Sequence, residues 1–252
     1  MVRFTTDDRI LVTGASSGIG WAVCKKLAAE GAFVVATGRN EEKLEQLVEE
    51  LGGPARAAFV VKDIPEDVAS LDKWMRAVAE THGRLKGAVL AAGMQHIAPL
   101  AHFPAKKIDE LVQLNLVANI MLAKGFCDRR VNAGPGSALA FVSSISSIVG
   151  EPAIAVYSAT KGAINSFTRS LAAEVATKGI RVNSVLPGLV KTEMLESWKA
   201  VYTPEYIAQA EERIPLGVGD PADVAGPVSF LLSSDAGWMT GVNLVVDGGA
   251  TL

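Results

Sequence analysis

The feature that most constrains this chain is the sevenfold recurrence of short apolar runs in which apolar and polar residues do not alternate. The runs are 10–13 (ILVT), 33–37 (FVVAT), 57–61 (AAFVV), 87–92 (GAVLAA), 138–144 (ALAFVSS), 181–186 (RVNSVL) and 242–249 (VNLVVDGG). A strand with one wet face alternates, whereas a continuously apolar strand is covered on both faces, as in a parallel sheet between two helix layers. Between the runs lie segments of helical periodicity at 19–30, 41–51, 68–81, 108–129, 155–176 and 222–232. This order predicts an α/β fold, a doubly wound parallel seven-stranded sheet with helices on both faces. A closed barrel of eight strand-helix units is the alternative, and the irregular stretch 191–219 fits it poorly. No repeat, low-complexity tract or linker divides the 252 residues, so 1–252 are read as a single catalytic domain.

Composition narrows the classes of function. With 24 basic and 27 acidic residues the formal charge is -3, which supplies no cationic excess for a nucleic-acid groove. No uncharged apolar run approaches the roughly 20 residues of a membrane span, and the first ten residues carry charge where a secretory signal would be apolar. Two cysteines, Cys24 and Cys127, make no disulfide framework, and neither they nor His82, His96 and His102 show metal-ligand spacing. The expectation is a soluble, cytoplasmic protein without a metal.

The first apolar run leads directly into VTGASSGIG, with Gly14, Gly18 and Gly20 at the start of a helical segment. Glycine permits the tight turn and removes the Cβ that would obstruct a diphosphate, while the helix N-terminus offers free N–H groups and partial positive charge. The spacing is not that of an ATP-binding P-loop, because Ile19 and Gly20 stand where Gly and Lys would be needed. After the second run the chain reads Gly38-Arg39. A dinucleotide site selective for NAD places a carboxylate there for the ribose hydroxyls, whereas an arginine pairs with a 2′-phosphate. NADP(H) is the expected cofactor, although Arg39 is also readable as a solvated charge after a strand.

Tyr157 and Lys161 are four residues apart in YSATK, on one face of the expected helix 155–176. A cation about 4 Å from the phenol, at an effective dielectric of 20, is worth of order 4 kcal/mol and would favour the ionised form. The pair is thus expected to lower the Tyr157 pKa toward working pH.

Taken together, these motifs resemble the short-chain dehydrogenase/reductase family. Its nucleotide turn is complete from Thr13 to Gly20, and its Tyr-x-x-x-Lys is Tyr157 to Lys161. Its serine, thirteen positions before the tyrosine, is Ser144 in FVSSISS, and its helix asparagine is Asn115 in QLNLVAN. Asp63 in VKDI, Pro187-Gly188 with Thr192 in VLPGLVKTEM, and the terminal VVDGG also match in order along nearly the whole chain. Within the family the chain resembles the bacterial 3-oxoacyl-acyl-carrier-protein reductases.

The resemblance implies a Rossmann-like fold and an NADP-dependent oxidoreductase that interconverts a carbonyl and a secondary alcohol. Tyr157 would be the general acid or base, Ser144 would hydrogen-bond the substrate oxygen, and Lys161 would hold the nicotinamide ribose and tune the tyrosine. Asn115 would interrupt its helix to hold a water linking Lys161 to solvent. Cofactor contacts are expected from Gly14, Ser16, Ser17, Gly18, Ile19, Arg39, Asp63, Ala92, Gly93, Tyr157, Lys161, Pro187, Gly188, Val190 and Thr192. The family's Asn-Ala-Gly after the fourth strand is here Ala91-Ala92-Gly93, so one bracing side chain is missing.

Substrate contacts are expected from Gln95, His96, Ser146, Met194 and Trp198, with the amphipathic insertion 189–215 forming a lid; a helix pair in a subunit contact is the alternative for that segment. The expected substrate is a 3-oxoacyl thioester, with an acyl carrier protein as a possible partner docking on Arg129, Arg130, Arg169 and Lys178 near the mouth of the site. Oxidoreduction of a simple ketone or sugar alcohol is the alternative, and an idle nucleotide-binding scaffold is a third. The resemblance and the long helical segments 108–129 and 155–176 together imply a homotetramer, with a dimer as the alternative.

Overall fold

A computed structural model describes residues 3–252. Seven parallel strands form one sheet in the order β3-β2-β1-β4-β5-β6-β7. They are β1 (Arg9–Thr13), β2 (Phe33–Gly38), β3 (Ala57–Val61), β4 (Leu85–Leu90), β5 (Ala138–Val142), β6 (Arg181–Pro187) and β7 (Asn243–Val246). The order runs outward from β1 in one direction and from β4 in the other. This places a switch point between their C-terminal ends, where open sheets of this kind leave a crevice.

Alternate residues of these apolar runs serve two cores. Ile10, Val12, Val34, Ala36 and Val89 face one layer, formed by α1 (Gly18–Ala29), α2 (Glu41–Glu50) and α9 (Pro221–Leu232), through Val23, Leu27, Leu44 and Val228. Leu11, Val35, Ala88 and Leu90 face the other, formed by α3 (Leu71–His82), α5 (Ala118–Phe126) and α6 (Ala155–Val175), through Met75, Leu122, Phe126 and Ile164. The continuous hydropathy of the runs reflects this double coverage. Arg181, buried at the start of β6, donates to the carbonyls of Leu231, Leu232 and Ser233 at 2.6, 3.1 and 2.9 Å, so its charge caps the C-terminus of α9.

The segment expected as one helix over 108–129 is divided. It comprises α4 (Ala105–Val112), a wider π-helical turn (Gln113–Val117) and α5, and it ends at Phe126. The extra residue in the turn is one that hydropathy cannot register, because Leu114, Leu116 and Val117 still pack on the core. The expected helix 68–81 likewise begins as irregular 3-10 turns over Ile64–Ser70, with Asp67 outside helical geometry. The insertion after β6 folds into α7 (Glu193–Glu196) and α8 (Pro204–Arg213), started by side-chain caps from Thr192 and Thr203. Among the described residues no helix is long and apolar enough to cross a membrane.

The strand polarity corrects one expectation. Arg129 and Arg130 follow α5 and precede β5, and Lys178 follows α6 and precedes β6, so all three lie at the N-terminal rim of the sheet, opposite the switch-point crevice. Arg130 is also clamped on Asp128, with Nη2 and Oδ2 2.6 Å apart. Arg169 lies well along α6, beside Gly241 ahead of β7. Within one protomer these four cations do not surround the mouth of the site.

Candidate active site

At the C-terminal ends of the strands a cleft of about 810 Å³ runs from the glycine turn to the lid. The turn is built for close approach. Gly14 has φ +67°, and a Cβ on it would lie 3.0 Å from the backbone of Ala92. At Gly20 a Cβ would lie 2.2 Å from the Gly14 carbonyl oxygen, a distance that no side chain tolerates. Helix α1 begins at Gly18, and no side chain caps it. Its terminal N–H groups and dipole therefore face the cleft as an anion site. The Gly20→Ala variant is expected to open the turn and weaken dinucleotide binding by at least roughly tenfold, with about 1–3 kcal/mol lost in stability; fluorescence titration of NADPH and thermal melts would check both, and wild-type values would refute this reading.

The end of β4 is tied to this turn without the side chain missing at Ala91. Thr13 Oγ1 accepts from Ala91 N at 3.0 Å and from Ala92 N at 3.1 Å, so a hydroxyl from β1 does the bracing through backbone. From the other side Thr192 folds back over the turn, its Cγ2 being 3.1 Å from where a Gly18 Cβ would sit.

The remaining expected dinucleotide residues also line this cleft, among them Ser16, Ser17, Ile19, Gly93, Pro187, Gly188 and Val190. At its adenosine end Arg39 is 77% exposed, and its Nε is 4.0 Å from Asp63 Oδ1. Asp63 Oδ1 is buried and has no hydrogen-bond partner, which suits an acceptor waiting for an amine. Lys62, not singled out in the sequence, lines the same end, its backbone N–H donating to the Gly38 carbonyl at 2.9 Å. Its only signal was adjacency to Asp63 in VKDI. The glycine cradle, the free helix terminus and the unpartnered carboxylate oxygen fit a nicotinamide dinucleotide, with two cations at its adenosine end.

The proton-handling residues converge where β5 ends and α6 begins. Ser144 lies two residues beyond β5, its hydroxyl donating to Ser146 Oγ and accepting from Ser146 N, both at 3.1 Å. Tyr157 and Lys161 occupy the first two turns of α6, with Lys161 Nζ 5.6 Å from the Tyr157 ring centroid. The ammonium donates to the Val142 carbonyl at 2.9 Å. Burial moves both groups toward their neutral forms: Tyr157 up to about 12, opposed by the Ser144 hydroxyl, and Lys161 down to about 8. The expected lowering of the phenol is therefore not met in this geometry, because desolvation outweighs an ammonium turned toward Val142. The proton stays on Tyr157 at neutral pH, which suits a general acid.

Asn115 sits behind this set rather than in the cleft. Its Oδ1 accepts from Met94 N at 2.9 Å and its Nδ2 donates to Met94 O at 2.8 Å, clamping the loop after β4, with a further contact to Thr160 Oγ1 at 3.3 Å. Asn119, unnoticed in QLNLVAN, donates its Nδ2 to the carbonyls of Asn115 at 2.9 Å and Leu114 at 3.2 Å, satisfying groups in the widened turn.

At the substrate end Gln95, Ser146 and Met194 line the cleft, whereas His96 and Trp198 do not. His96 packs edge-on between Phe103 and Trp198, with ring centroids at 5.0 and 5.2 Å, so this pair fastens the lid to the loop after β4 and does not face a substrate. Sequence could not separate lining from fastening, since both call for an aromatic beside the site. Apolar side chains from Met94, Val149, Met194, Leu195 and Val201 line this end, with Glu151, Tyr202, Tyr206 and Arg213 among them.

A family model described as Enoyl-(Acyl carrier protein) reductase matches residues 14–251. The chain is 34% identical to a glucose 1-dehydrogenase of Gluconobacter oxydans, over 97% of this chain and 92% of the relative. It is 33% identical to the 3-oxoacyl-(acyl-carrier-protein) reductase FabG of Rickettsia prowazekii, over 95% of each. A solved Beutenbergia cavernae protein, designated an NAD(P)-dependent gluconate 5-dehydrogenase and carrying NADP at low occupancy, superposes with a TM-score of 0.91 at 31% identity, covering 100% of this chain and 99% of that one. The match spans the glycine turn, the Ser-Tyr-Lys set and the terminal strand together, and the chain belongs to the short-chain dehydrogenase/reductase family of oxidoreductases.

Proposed function

We propose that this protein is an NADP(H)-dependent oxidoreductase that reduces a ketone to a secondary alcohol, acting on a free small molecule with an apolar portion. The observation that carries this reading is the convergence of Ser144, Tyr157 and Lys161 in one cleft continuous with the glycine turn. When bound, the nicotinamide supplies the hydride in reduction and accepts it in oxidation. Gly14, Gly18 and the α1 N-terminus would hold its diphosphate, and Arg39 and Lys62 its 2′-phosphate. The protein's own part is to orient the carbonyl and move one proton. Ser144 donates to the carbonyl oxygen, Tyr157 delivers its hydroxyl proton there, and cationic Lys161 steadies the phenolate left behind.

The pH dependence follows from burial. Lys161 is charged below about 8 and neutral above it. The kcat/KM for NADPH, which reports the free enzyme, is expected to fall as pH rises through about 8; a rise through that range would contradict the assignment.

Among substrates, the apolar lid favours a 3-oxoacyl thioester presented free, since Arg129, Arg130 and Lys178, three of the four cations expected to guide a carrier, lie at the opposite rim. A sugar or sugar acid is the second reading, supported by Glu151 and Arg213 in the lining and by the names of similar dehydrogenases. NADPH oxidation measured with a free 3-oxoacyl thioester, an aryl ketone and a keto-sugar ranks them. Turnover of the keto-sugar alone would overturn the thioester assignment.

A homotetramer in the cytoplasm belongs to the same proposal. An apolar groove of about 400 Å³ between α4 and α6 is walled by Ile108, Val112, Leu116 and Val156, and a second apolar surface lies near the edge strand β7, where Val245 and Trp238 are exposed. Two separate faces suit the two dyads of a tetramer. Light scattering is expected to give four subunits across the assay range, and a stable active monomer would refute it.

A further inference from the structure

The substrate end of the cleft holds a hydroxyl that the proton-transfer set does not use. Tyr202 lies in the turn between α7 and α8, and both it and Gln95 line the cleft. Its hydroxyl oxygen accepts a hydrogen bond from Gln95 Nε2 at 3.2 Å, and its ring meets Tyr206 edge-on at 5.5 Å. The adjacent pair His96 and Trp198 fixes the same part of the lid to the same loop, so the lid is held there from two consecutive loop residues. An amide –NH₂ only donates, so this contact consumes a lone pair of the phenol oxygen and leaves the phenol's own proton uncommitted. Among the described residues no side chain or carbonyl accepts that proton. Burial and the nearby Glu151 carboxylate raise the Tyr202 pKa, which keeps the proton in place. Tyr157 feels the charge Tyr202 would carry, so the two phenols share one region of the cleft.

We infer that Tyr202 is a specificity-determining residue that donates a hydrogen bond to a second oxygen of the substrate, carried beside the carbonyl that Tyr157 serves. The inference rests on the oxidoreductase reading and deepens it. The substrate class is a ketone bearing a further carbonyl or hydroxyl oxygen a few bonds from the reacting carbon. A substrate without that oxygen leaves a half-buried donor unpaired, and this penalty is the source of discrimination. Gln95 is a positioning residue, since it sets where the phenol oxygen sits and so where its proton points.

The test compares wild type, Tyr202→Phe and Gln95→Leu with NADPH on ethyl 3-oxobutanoate and heptan-2-one, which match in chain length and differ in the ester oxygens. Wild type is expected to prefer the oxoester in kcat/KM. In Tyr202→Phe that preference is expected to shrink by roughly tenfold, mainly through KM for the oxoester, and in Gln95→Leu by less. A lid that is merely loosened lowers both substrates together and leaves the ratio intact. Calorimetric binding of both compounds to the NADPH complexes of Tyr157→Phe and of the Tyr157→Phe/Tyr202→Phe double variant reads the same contact with proton transfer removed. An unchanged ratio in turnover, or an unchanged ratio in binding, overturns the role of Tyr202. If wild type reduces neither compound while binding still favours the oxoester through Tyr202, the proposed reduction of a ketone with an apolar portion fails and the Tyr202 contact stands.

Discussion

Tyr157→Phe is expected to lower kcat by roughly 10²–10⁴-fold while leaving NADPH affinity within about threefold of wild type. The ring stays in place at the start of α6, so packing and the cofactor cradle are preserved, and only the transferable proton is lost. The Lys161 ammonium, which donates to the Val142 carbonyl and not to the phenol, has no reason to move. Stopped-flow measurement of NADPH oxidation beside a fluorescence titration separates the two quantities. A variant with near-normal turnover would show that the proton comes from another group, whereas equal losses in turnover and affinity would show a collapsed site.

Arg39→Ala is expected to reduce the preference for NADPH over NADH by roughly 10- to 100-fold, nearly all of it as weaker NADPH binding. A hydrogen bond to a charged group contributes about 1.5–3 kcal/mol, and the phosphate present only in NADPH would lose one or two such bonds. Arg39 is free to supply them because its ion-pair partner among the described residues, Asp63, stands 4.0 Å away, a separation too long for a hydrogen bond. Lys62 limits the effect, since it keeps one cation at that end. Arg39→Asp should go further and turn the preference toward NADH, by setting a carboxylate against the phosphate. Titrations of both reduced cofactors against each variant check the series, and equal affinities in wild type would remove its basis.

The sheet was legible in the sequence because double coverage makes buried parallel strands continuously apolar, and the seven runs each became a strand. Their ends were less so. The runs 87–92 and 138–144 stay apolar or small past β4 and β5, although Ala91, Ala92, Ser143 and Ser144 have already left the sheet to line the cleft. Hydropathy measures burial, and these residues remain sheltered outside the strand. The glycine turn and the Ser144-Tyr157-Lys161 set could be read because their chemistry fixes residue type and spacing together.

What escaped was decided by tertiary context. The π-helical turn at Asn115 leaves no mark on apolar periodicity, and its partner Asn119 looks like any polar residue on a helix. His96 and Trp198 had suitable chemistry for a substrate contact, yet His96 is packed edge-on between Trp198 and Phe103. The ionisation of Tyr157 was misjudged because spacing shows that a lysine is near but not that it is buried and aimed at a carbonyl. Arg129, Arg130 and Lys178 were misplaced because charge alone says nothing about the rim of the sheet on which a loop emerges.

The central claim is that this cleft passes a hydride from NADPH to a carbonyl carbon while Tyr157 delivers the proton. The most direct test supplies NADPH deuterated at its hydride-donating carbon together with the ketone that turns over fastest, and the product alcohol is examined by mass spectrometry. One deuterium on the carbinol carbon in the wild-type product, and the same label in a product that Tyr157→Phe forms roughly 10²–10⁴-fold more slowly, is the predicted result. Tight NADPH binding with no deuterium in any alcohol, or labelled alcohol formed by Tyr157→Phe at the wild-type rate, would contradict it.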